Sequence, residues 1–152
     1  MTSYMTSENT ESGIDFLRSI IEGRRPQAPL SKTLGFEIVG VEPGRADFEG
    51  RAGEHLCNPM GTVHGGFLTT LLDSAMGSAV MSELPAGKAY TTAQLNVNLL
   101  RPVVPGTGTL RATGRTLHVG RTLATAEAQL IGVEDGKLYA HSTTTCALFP
   151  TR

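Results

Sequence analysis

Residues 58–81 read NPMGTVHGGFLTTLLDSAMGSAVM, and this stretch decides how the rest of the chain is interpreted. From Phe67 onward the apolar residues recur in adjacent pairs every four positions, which predicts a helix with a wide apolar face from Gly65 to about Met81. No longer helix is predicted elsewhere in the sequence. An apolar face of that width must be buried against another part of the protein.

Strand patterns lie on both sides of this helix. Before it, two short runs of β-branched and aromatic residues flank the turn at Pro43 and Gly44, and after it about four alternating runs are separated by Pro-Gly and Glu-Asp-Gly turns. A shorter amphipathic helix is predicted to begin at Ile14 and end near Gly23, with Pro26 and Pro29 preventing its continuation. This order predicts an α+β fold in which the long helix covers the apolar face of an antiparallel sheet.

Length and composition limit the classes of function. The chain has 152 residues, 39% of them hydrophobic, which predicts one domain over residues 14–152 after a flexible polar tail at residues 1–13. A formal net charge of -1 disfavours nucleic acid as the main partner. The sequence has no apolar run near the roughly 20 residues of a membrane span and no secretory signal at its start, so we expect a cytoplasmic protein.

The glycine-rich start of the long helix is the first candidate site. Gly65 and Gly66 fall in the predicted first turn, where backbone N–H groups lack intrahelical acceptors and the helix dipole favours negative charge. Because glycines have no side chain, a ligand oxygen can reach these donors, as in an oxyanion-stabilising site. The pair is also consistent with a tight turn into the helix, so both interpretations stay open at this point.

Two polar side chains precede the glycines. We expect His64 to position the loop, because no serine nucleophile motif or acid partner lies near it in the sequence. The amide of Asn58 can both donate and accept, so it is a candidate for binding a water or a carbonyl. An Asn before Pro is also an ordinary turn residue.

Asp73 is the candidate carboxylate. At about 100° per residue it lies away from the centre of the apolar helix face, beside Gly66, Thr70 and Gly77. These small neighbours allow a narrow ligand or a second backbone to approach the carboxylate. A solvated helix face with small residues by chance is the competing interpretation.

A metal site or a cysteine nucleophile is disfavoured in this loop. His55, Cys57 and His64 are residue types that bind zinc, but their spacing matches no standard pattern and a fourth ligand is missing. Nothing indicates that the side chains of Cys57 and His64 face each other as nucleophile and base. Cys57 and Cys146 fit no disulfide framework and are interpreted as reduced thiols. We expect neither a metal nor a cofactor.

An ordered set of segments resembles a known family. These segments are Asn58, VHGG (63–66), Asp73, LNVNLLRPV (95–103) and HVGRTLATAEA (118–128). In this order and spacing they resemble the hotdog-fold acyl-CoA thioesterases of the phenylacetate-pathway (PaaI-type) group. The resemblance covers roughly residues 34–149. The ordered set is more specific than any one of its pieces.

The resemblance implies a fold, an assembly and an activity. The implied fold is a curved antiparallel sheet wrapped around one long helix, with two subunits forming a dimer through a continuous sheet and two dimers forming a tetramer. The implied activity is hydrolysis of a small or medium acyl-CoA, aromatic acyl groups included, to the free acid and CoA. CoA is then part of the substrate and not a separate cofactor.

The resemblance also implies roles for individual residues at the dimer interface. Asn58, His64 and the Gly65 N–H are implied to come from one subunit. Gly65 polarises the thioester carbonyl, Asn58 binds the thioester or the water, and His64 braces the loop. Asp73 and Thr92 are implied to come from the other subunit, with Asp73 acting as nucleophile or as general base toward water.

The position of Thr92 depends on the alignment. Thr91 is its neighbour, and a slip of one residue would exchange the two. Because the side chains of adjacent strand residues point to opposite faces, only one of them can serve.

Further residues are candidates for substrate binding. Guanidinium groups suit the phosphates of CoA, which favours Arg101 in LRP and Arg121 in VGRT. Gly66, Phe67 and Leu68 at the helix start are expected near the acyl group.

A hydratase and a non-catalytic acyl-CoA sensor are the two alternatives to a hydrolase. A hydratase of the same fold is implied to carry a His five positions after the Asp, where this chain has Ser78. An acyl-CoA sensor without catalysis is implied to carry an added DNA-binding or regulatory domain, for which the first 30 residues are too short. Thioester hydrolysis is therefore the preferred prediction.

Overall fold

The computed structural model describes residues 10–151. In this part of the chain the helices are α1 (Gly13–Ile21), α2 (Pro29–Leu34) and α3 (Gly65–Met81). The strands are β1 (Phe36–Glu42), β2 (Arg45–Arg51), β3 (Lys88–Leu99), β4 (Thr109–Val119), β5 (Leu123–Gly132) and β6 (Leu138–Pro150). Short 3₁₀ turns lie at Glu54–Leu56 and Pro105–Thr107. Among these residues no helix is both long and apolar enough to cross a bilayer.

The six strands form one antiparallel sheet in the order β1-β2-β4-β5-β6-β3. Helix α3 packs against one face of this sheet, and its Leu71, Leu72 and Met76 are fully buried in the core. The predicted α+β hotdog fold is therefore confirmed. The bounds of the long helix and the hairpin at Pro43 and Gly44 are also as predicted.

One glycine of the sheet brings the helix close to it. A Cβ added to Gly114 of β4 would overlap the backbone carbonyl of Ala75 on α3. Any side chain at this position would push the helix away from the sheet, so glycine here sets the distance between the two layers.

Helix α1 ends before Pro26 and Pro29, as predicted, but the sequence did not predict the separate short helix α2. Pro29 is the first residue of α2, where its missing N–H costs nothing because that group has no intrahelical acceptor. The helix ends at Gly35, which takes a left-handed conformation with φ of 77°.

The start of the described chain belongs to the folded domain. The Ser12 hydroxyl accepts the Asp15 N–H and caps α1, and the Gly13 N–H donates to the Leu84 carbonyl at 3.0 Å. The predicted tail ends at residue 13, so its last two residues lie in the domain. Residues 1–9 lie outside the described residues.

The two edges of the sheet differ. At the β1 edge the Gln27 side-chain oxygen accepts the Ile38 N–H at 3.2 Å, and the strand is bulged directly after Ile38. Helix α1 packs against the same strand. At the other edge, the 12 residues of β3 pair with β6 on one side, and no strand in the described part of the chain pairs with their other side. Among the strands of residues 10–151, β3 is thus the one that offers a long unpaired edge.

Candidate active site

A histidine caps the helix that carries the candidate site. The His64 Nδ1 accepts the Gly66 N–H at 2.8 Å, and a Cβ on residue 66 would lie 2.9 Å from that nitrogen. In this contact Nδ1 is the acceptor, so it is Nε2 that faces away from the helix start as the second ring nitrogen. The contact agrees with a positioning role for His64. It also occupies the Gly66 N–H, which the sequence had suggested as a free donor.

Gly65 keeps the remaining free donor at the helix start. Its N–H has no acceptor among the described residues, and it lies at the positive end of the helix dipole. A Cβ on residue 65 would lie 2.7 Å from the Leu99 Cδ1 at the end of β3. A side chain on residue 65 would therefore displace the Leu99 side chain, whereas glycine leaves one backbone donor available there.

Asn58 holds the preceding loop with its own amide. The side-chain oxygen accepts the Met60 N–H at 2.9 Å, and the side-chain nitrogen donates to the Thr62 Oγ1 at 2.8 Å. This is an Asx turn, which agrees with the structural interpretation of an Asn before Pro. One hydrogen of the amide is left over for a ligand.

The loop and the end of β3 enclose a groove of about 300 Å³. It is lined by Asn58, Thr62, Val63, Gly65, Leu68, Leu99, Leu100, Arg101, Pro102 and Val103. Four residues suggested by the sequence thus meet there: Asn58, Gly65, Leu68 and Arg101. The groove combines an apolar wall with a backbone donor, an amide and a guanidinium group.

Asp73 lies in a second cluster farther along α3. The Thr92 hydroxyl donates to Asp73 Oδ1 at 2.9 Å, and both residues are partly buried. Thr91 is exposed on the other face of β3. The geometry therefore places Thr92, and not Thr91, beside the carboxylate.

A β-bulge after Thr92 explains why periodicity alone left this choice open. The β3–β6 register shifts between Thr92 and Gln94, so Thr92 and Leu95 both face the helix although they are three residues apart. The Thr144 hydroxyl of β6 donates to the Gln94 carbonyl at 2.8 Å, next to this irregularity. Thr144 thus contributes to the backbone geometry that directs Thr92 toward Asp73.

The two cysteines are free thiols with different surroundings. Cys146 is fully buried, and burial, followed by the charge of Asp73, raises the pKa of its thiol, which keeps it protonated. The Cys57 thiol lies 3.8 Å from the Gly53 carbonyl. Within residues 10–151 no group of three His, Cys, Asp or Glu side chains is arranged to hold a metal ion.

The two clusters are separated within one chain. Gly65 and Asp73 are eight residues apart on α3, which corresponds to about 12 Å along the helix axis and about 80° around it. The Gly65 N–H, at the start of the helix, points away from Asp73 along that axis. One small carbonyl group cannot contact both in a single protomer.

Comparison with known proteins identifies the family. A sequence model described as "Thioesterase superfamily" matches residues 60–139, which contain His64, Gly65, Asp73 and Thr92. The chain belongs to this superfamily. Acyl-coenzyme A thioesterase 13 of Homo sapiens is 28% identical over 125 residues, which are 82% of this chain and 88% of that protein. Acyl-coenzyme A thioesterase PaaI of Escherichia coli K12 is 29% identical over 101 residues, 66% and 69% of the two chains.

A solved structure agrees with this assignment. A phenylacetic acid degradation-related protein of Ralstonia eutropha JMP134 superposes with a TM-score of 0.77 at 31% identity, covering 87% of this chain and 98% of that one. The predicted resemblance to PaaI-type hotdog proteins is thus confirmed, as is membership of a family of thioester hydrolases.

The other suggested thioesterase residues, Arg101, Arg121 and Phe67, lie in three different places. Arg101 is exposed at the groove. Arg121 is exposed in the β4–β5 turn, two residues before Leu123. Leu123 pairs with Ala147 of β6, and Ala147 in turn pairs with β3 next to Thr92, so this turn lies at the Thr92 end of the sheet. Phe67 packs into the core, where a Cβ on Gly50 would lie 3.2 Å from its Cζ, and it does not line the groove.

Proposed function

We propose that this thioesterase-superfamily protein hydrolyses the thioester of a small or medium acyl-CoA to the free acid and CoA. The observation that carries the proposal is the Asp73–Thr92 pair, a partly buried carboxylate held by a hydroxyl on a helix face of small residues. The acyl-CoA thioesterases of Homo sapiens and Escherichia coli described above support acyl-CoA as the substrate class.

The active site is composed of residues from two subunits. Its first half is the groove with Asn58, His64 and Gly65, and its second half is the Asp73–Thr92 pair of a partner. The distance of about 12 Å along α3 supports this division. The open edge of β3 allows two subunits to pair through their β3 strands. Antiparallel pairing of these strands about a two-fold axis places the Leu99 end of each strand near the Thr92 end of the other.

Two such dimers form a homotetramer through the outer face of the sheet. A pocket of about 390 Å³ on that face includes Arg45, Arg115, Glu127 and His141, so both signs of charge are present for reciprocal pairing across a symmetry axis. The buried Arg45 Nε, which has no partner among the described residues, supports an additional contact there.

The reaction follows from these groups. The thioester oxygen accepts the free Gly65 N–H, with the remaining Asn58 amide hydrogen near it, and the positive helix end stabilises the developing oxyanion. Asp73 either takes the proton of an attacking water or attacks the carbonyl carbon itself to form an anhydride that water then opens. The C–S bond breaks in both routes, and the sulfur leaves as thiolate and is protonated. Thr92 holds the reacting carboxylate oxygen in place.

Two arginines bind the phosphates of CoA. Arg101 lies at the groove, and Arg121 lies in the turn on the Thr92 side of the sheet. Both guanidinium groups are exposed and can contact phosphate oxygens through two N–H donors at once.

The decisive experiment compares two carboxylates that each accept a threonine hydroxyl, although Asp47 also forms an ion pair with Arg45. Asp47 accepts the Thr113 hydroxyl at 2.6 Å on the outer sheet face, as Asp73 accepts the Thr92 hydroxyl on the helix side. Thiol release from phenylacetyl-, benzoyl-, short and long aliphatic acyl-CoAs is measured for wild type, Asp73→Asn and Asp47→Asn. We expect turnover to be lost only in Asp73→Asn. Full turnover in that variant would refute the mechanism, and tight acyl-CoA binding without turnover in wild type would favour a sensor.

The two-subunit site has its own test. Asp73→Asn and Gly65→Val are each expected to be inactive, because each damages one half of every site. Mixed and refolded together, they form heterodimers with one intact site, so roughly a quarter of the wild-type activity should return. Mixtures that stay inactive although heterodimers are detected would mean that one protomer supplies the whole site.

A further inference from the structure

Tyr90 lies beyond the Asp73–Thr92 pair on the same side of the sheet. It is two residues before Thr92 on β3, so its side chain points to the same face. Gly77 is four residues after Asp73 on α3, so it follows Asp73 on the same helix face, about 6 Å along the axis. The next pair along the space between α3 and β3 is thus Gly77 and Tyr90.

The phenol of Tyr90 fills the gap between β3 and α3 at Gly77. A Cβ added to Gly77 would lie 2.5 Å from the Tyr90 Oη, 2.8 Å from its Cε2 and 2.9 Å from its Cζ. The tip of the ring therefore lies directly against the helix backbone, and this is possible only because residue 77 is glycine.

The ring is an uncharged surface. Burial, followed by the electrostatic influence of the neighbouring Cys146 and Asp73 side chains, raises the pKa of Tyr90, so its hydroxyl stays protonated. A neutral aromatic ring tolerates contact with an apolar chain, which an ionised phenolate would not.

The groove at Leu68 and Leu99 lies on the opposite side of Asp73, toward the start of α3. Tyr90 therefore confines an acyl group bound at Asp73 on the side away from this groove.

We infer that Tyr90, lying against Gly77, is the end wall of the acyl pocket and limits the length of the acyl group. The inference rests on the proposed thioesterase function and refines its substrate class. About one helical turn separates Asp73 from the wall, a distance comparable to a short acyl chain or a single aromatic ring.

The test compares chain-length profiles. kcat/KM is measured with straight-chain acyl-CoAs of increasing length for wild type, Tyr90→Leu and Thr91→Ala, the last being a matched control on the exposed face of the same strand. We expect Tyr90→Leu to move the longest accepted chain to higher carbon number, with kcat/KM rising about fourfold for each newly buried methylene (~0.8 kcal/mol). Thr91→Ala should keep the wild-type profile.

A second variant and a second measurement make the outcome decisive. Tyr90→Met introduces a flexible, unbranched side chain that adapts to the gap and that a longer acyl group can displace, so it serves if Tyr90→Leu does not fold. The dissociation constants of the same acyl-CoA series report the length limit even if wild type shows no turnover, which separates this inference from the proposed reaction. An unchanged length limit in a folded Tyr90 variant, or an equal shift in Thr91→Ala, would overturn the inference.

Discussion

Replacing Thr92 by valine removes one hydrogen bond to Asp73 while it keeps the shape of the side chain. The bond joins the Thr92 Oγ1 to the Asp73 Oδ1 at 2.9 Å, and its acceptor is a carboxylate. A hydrogen bond to a charged group contributes about 1.5 to 3 kcal/mol. If Thr92 orients the carboxylate in the transition state, this corresponds to a loss of roughly 10- to 150-fold in kcat.

Steady-state kinetics of thiol release distinguish orientation from binding. We expect Thr92→Val to lower kcat with little change in KM, because the substrate itself does not contact the lost hydroxyl. Thr92→Ser should restore most of the activity, since it returns the donor at the same position. Thr91→Val is the matched control, because Thr91 is exposed on the opposite face of β3.

Two results would refute this reasoning. The first is wild-type kcat in a folded Thr92→Val protein, which would mean that the hydrogen bond does not matter for the reaction. The second is an equal loss in Thr91→Val, which would assign the effect to β3 or to the dimer edge and not to the carboxylate.

Three further predictions concern the parts that surround this pair. Gly65→Ala places a Cβ 2.7 Å from the Leu99 Cδ1, so we expect kcat/KM to fall at least about tenfold, whereas Gly106→Ala, which meets no atom within 4 Å, should have no effect. Thr144→Val loses the hydrogen bond to the Gln94 carbonyl and should lower both kcat and the free energy of unfolding, the latter by about 1 kcal/mol in urea titrations, while Thr144→Ser keeps both. The Thr109 N–H lowers the pKa of Glu134 below its usual 4.5, so this ionised carboxylate stabilises the fold above the unfolded-state pKa. The Tm difference between wild type and Glu134→Gln should therefore be largest near neutral pH and vanish as the pH falls through the lowered pKa.

The sequence predicted α3 well because its start and its apolar face have strong local signals. The two glycines at its start and the paired apolar residues after Phe67 give the bounds Gly65–Met81 that the structure has. Helix α2 was missed because a proline is read as a stop, although it is equally favourable as a first helical residue.

The candidate site could be predicted only in part, because some of its contacts depend on long-range geometry. The choice between Thr91 and Thr92 depends on a bulge at the next residue, which breaks the alternation on which strand predictions rest. The bond from Gly66 to His64 had a weak signal, since no Ser, Thr, Asp or Asn directly precedes the helix and the imidazole is the nearest acceptor. Tyr90 was missed because its contact, Gly77, lies on another element.

The glycines of α3 explain how the space around Asp73 is bounded. The space that a side chain would take at Gly65 is occupied by Leu99, and the corresponding space at Gly77 is occupied by Tyr90. Leu99 and Tyr90 lie toward opposite ends of β3, and the Asp73–Thr92 contact lies between them. Changes at these two glycines therefore move the boundaries of the pocket, whereas a change at Asp73 removes the reacting group. Gly77→Ala should thus alter which acyl groups are accepted, and Asp73→Asn should abolish the reaction for all of them.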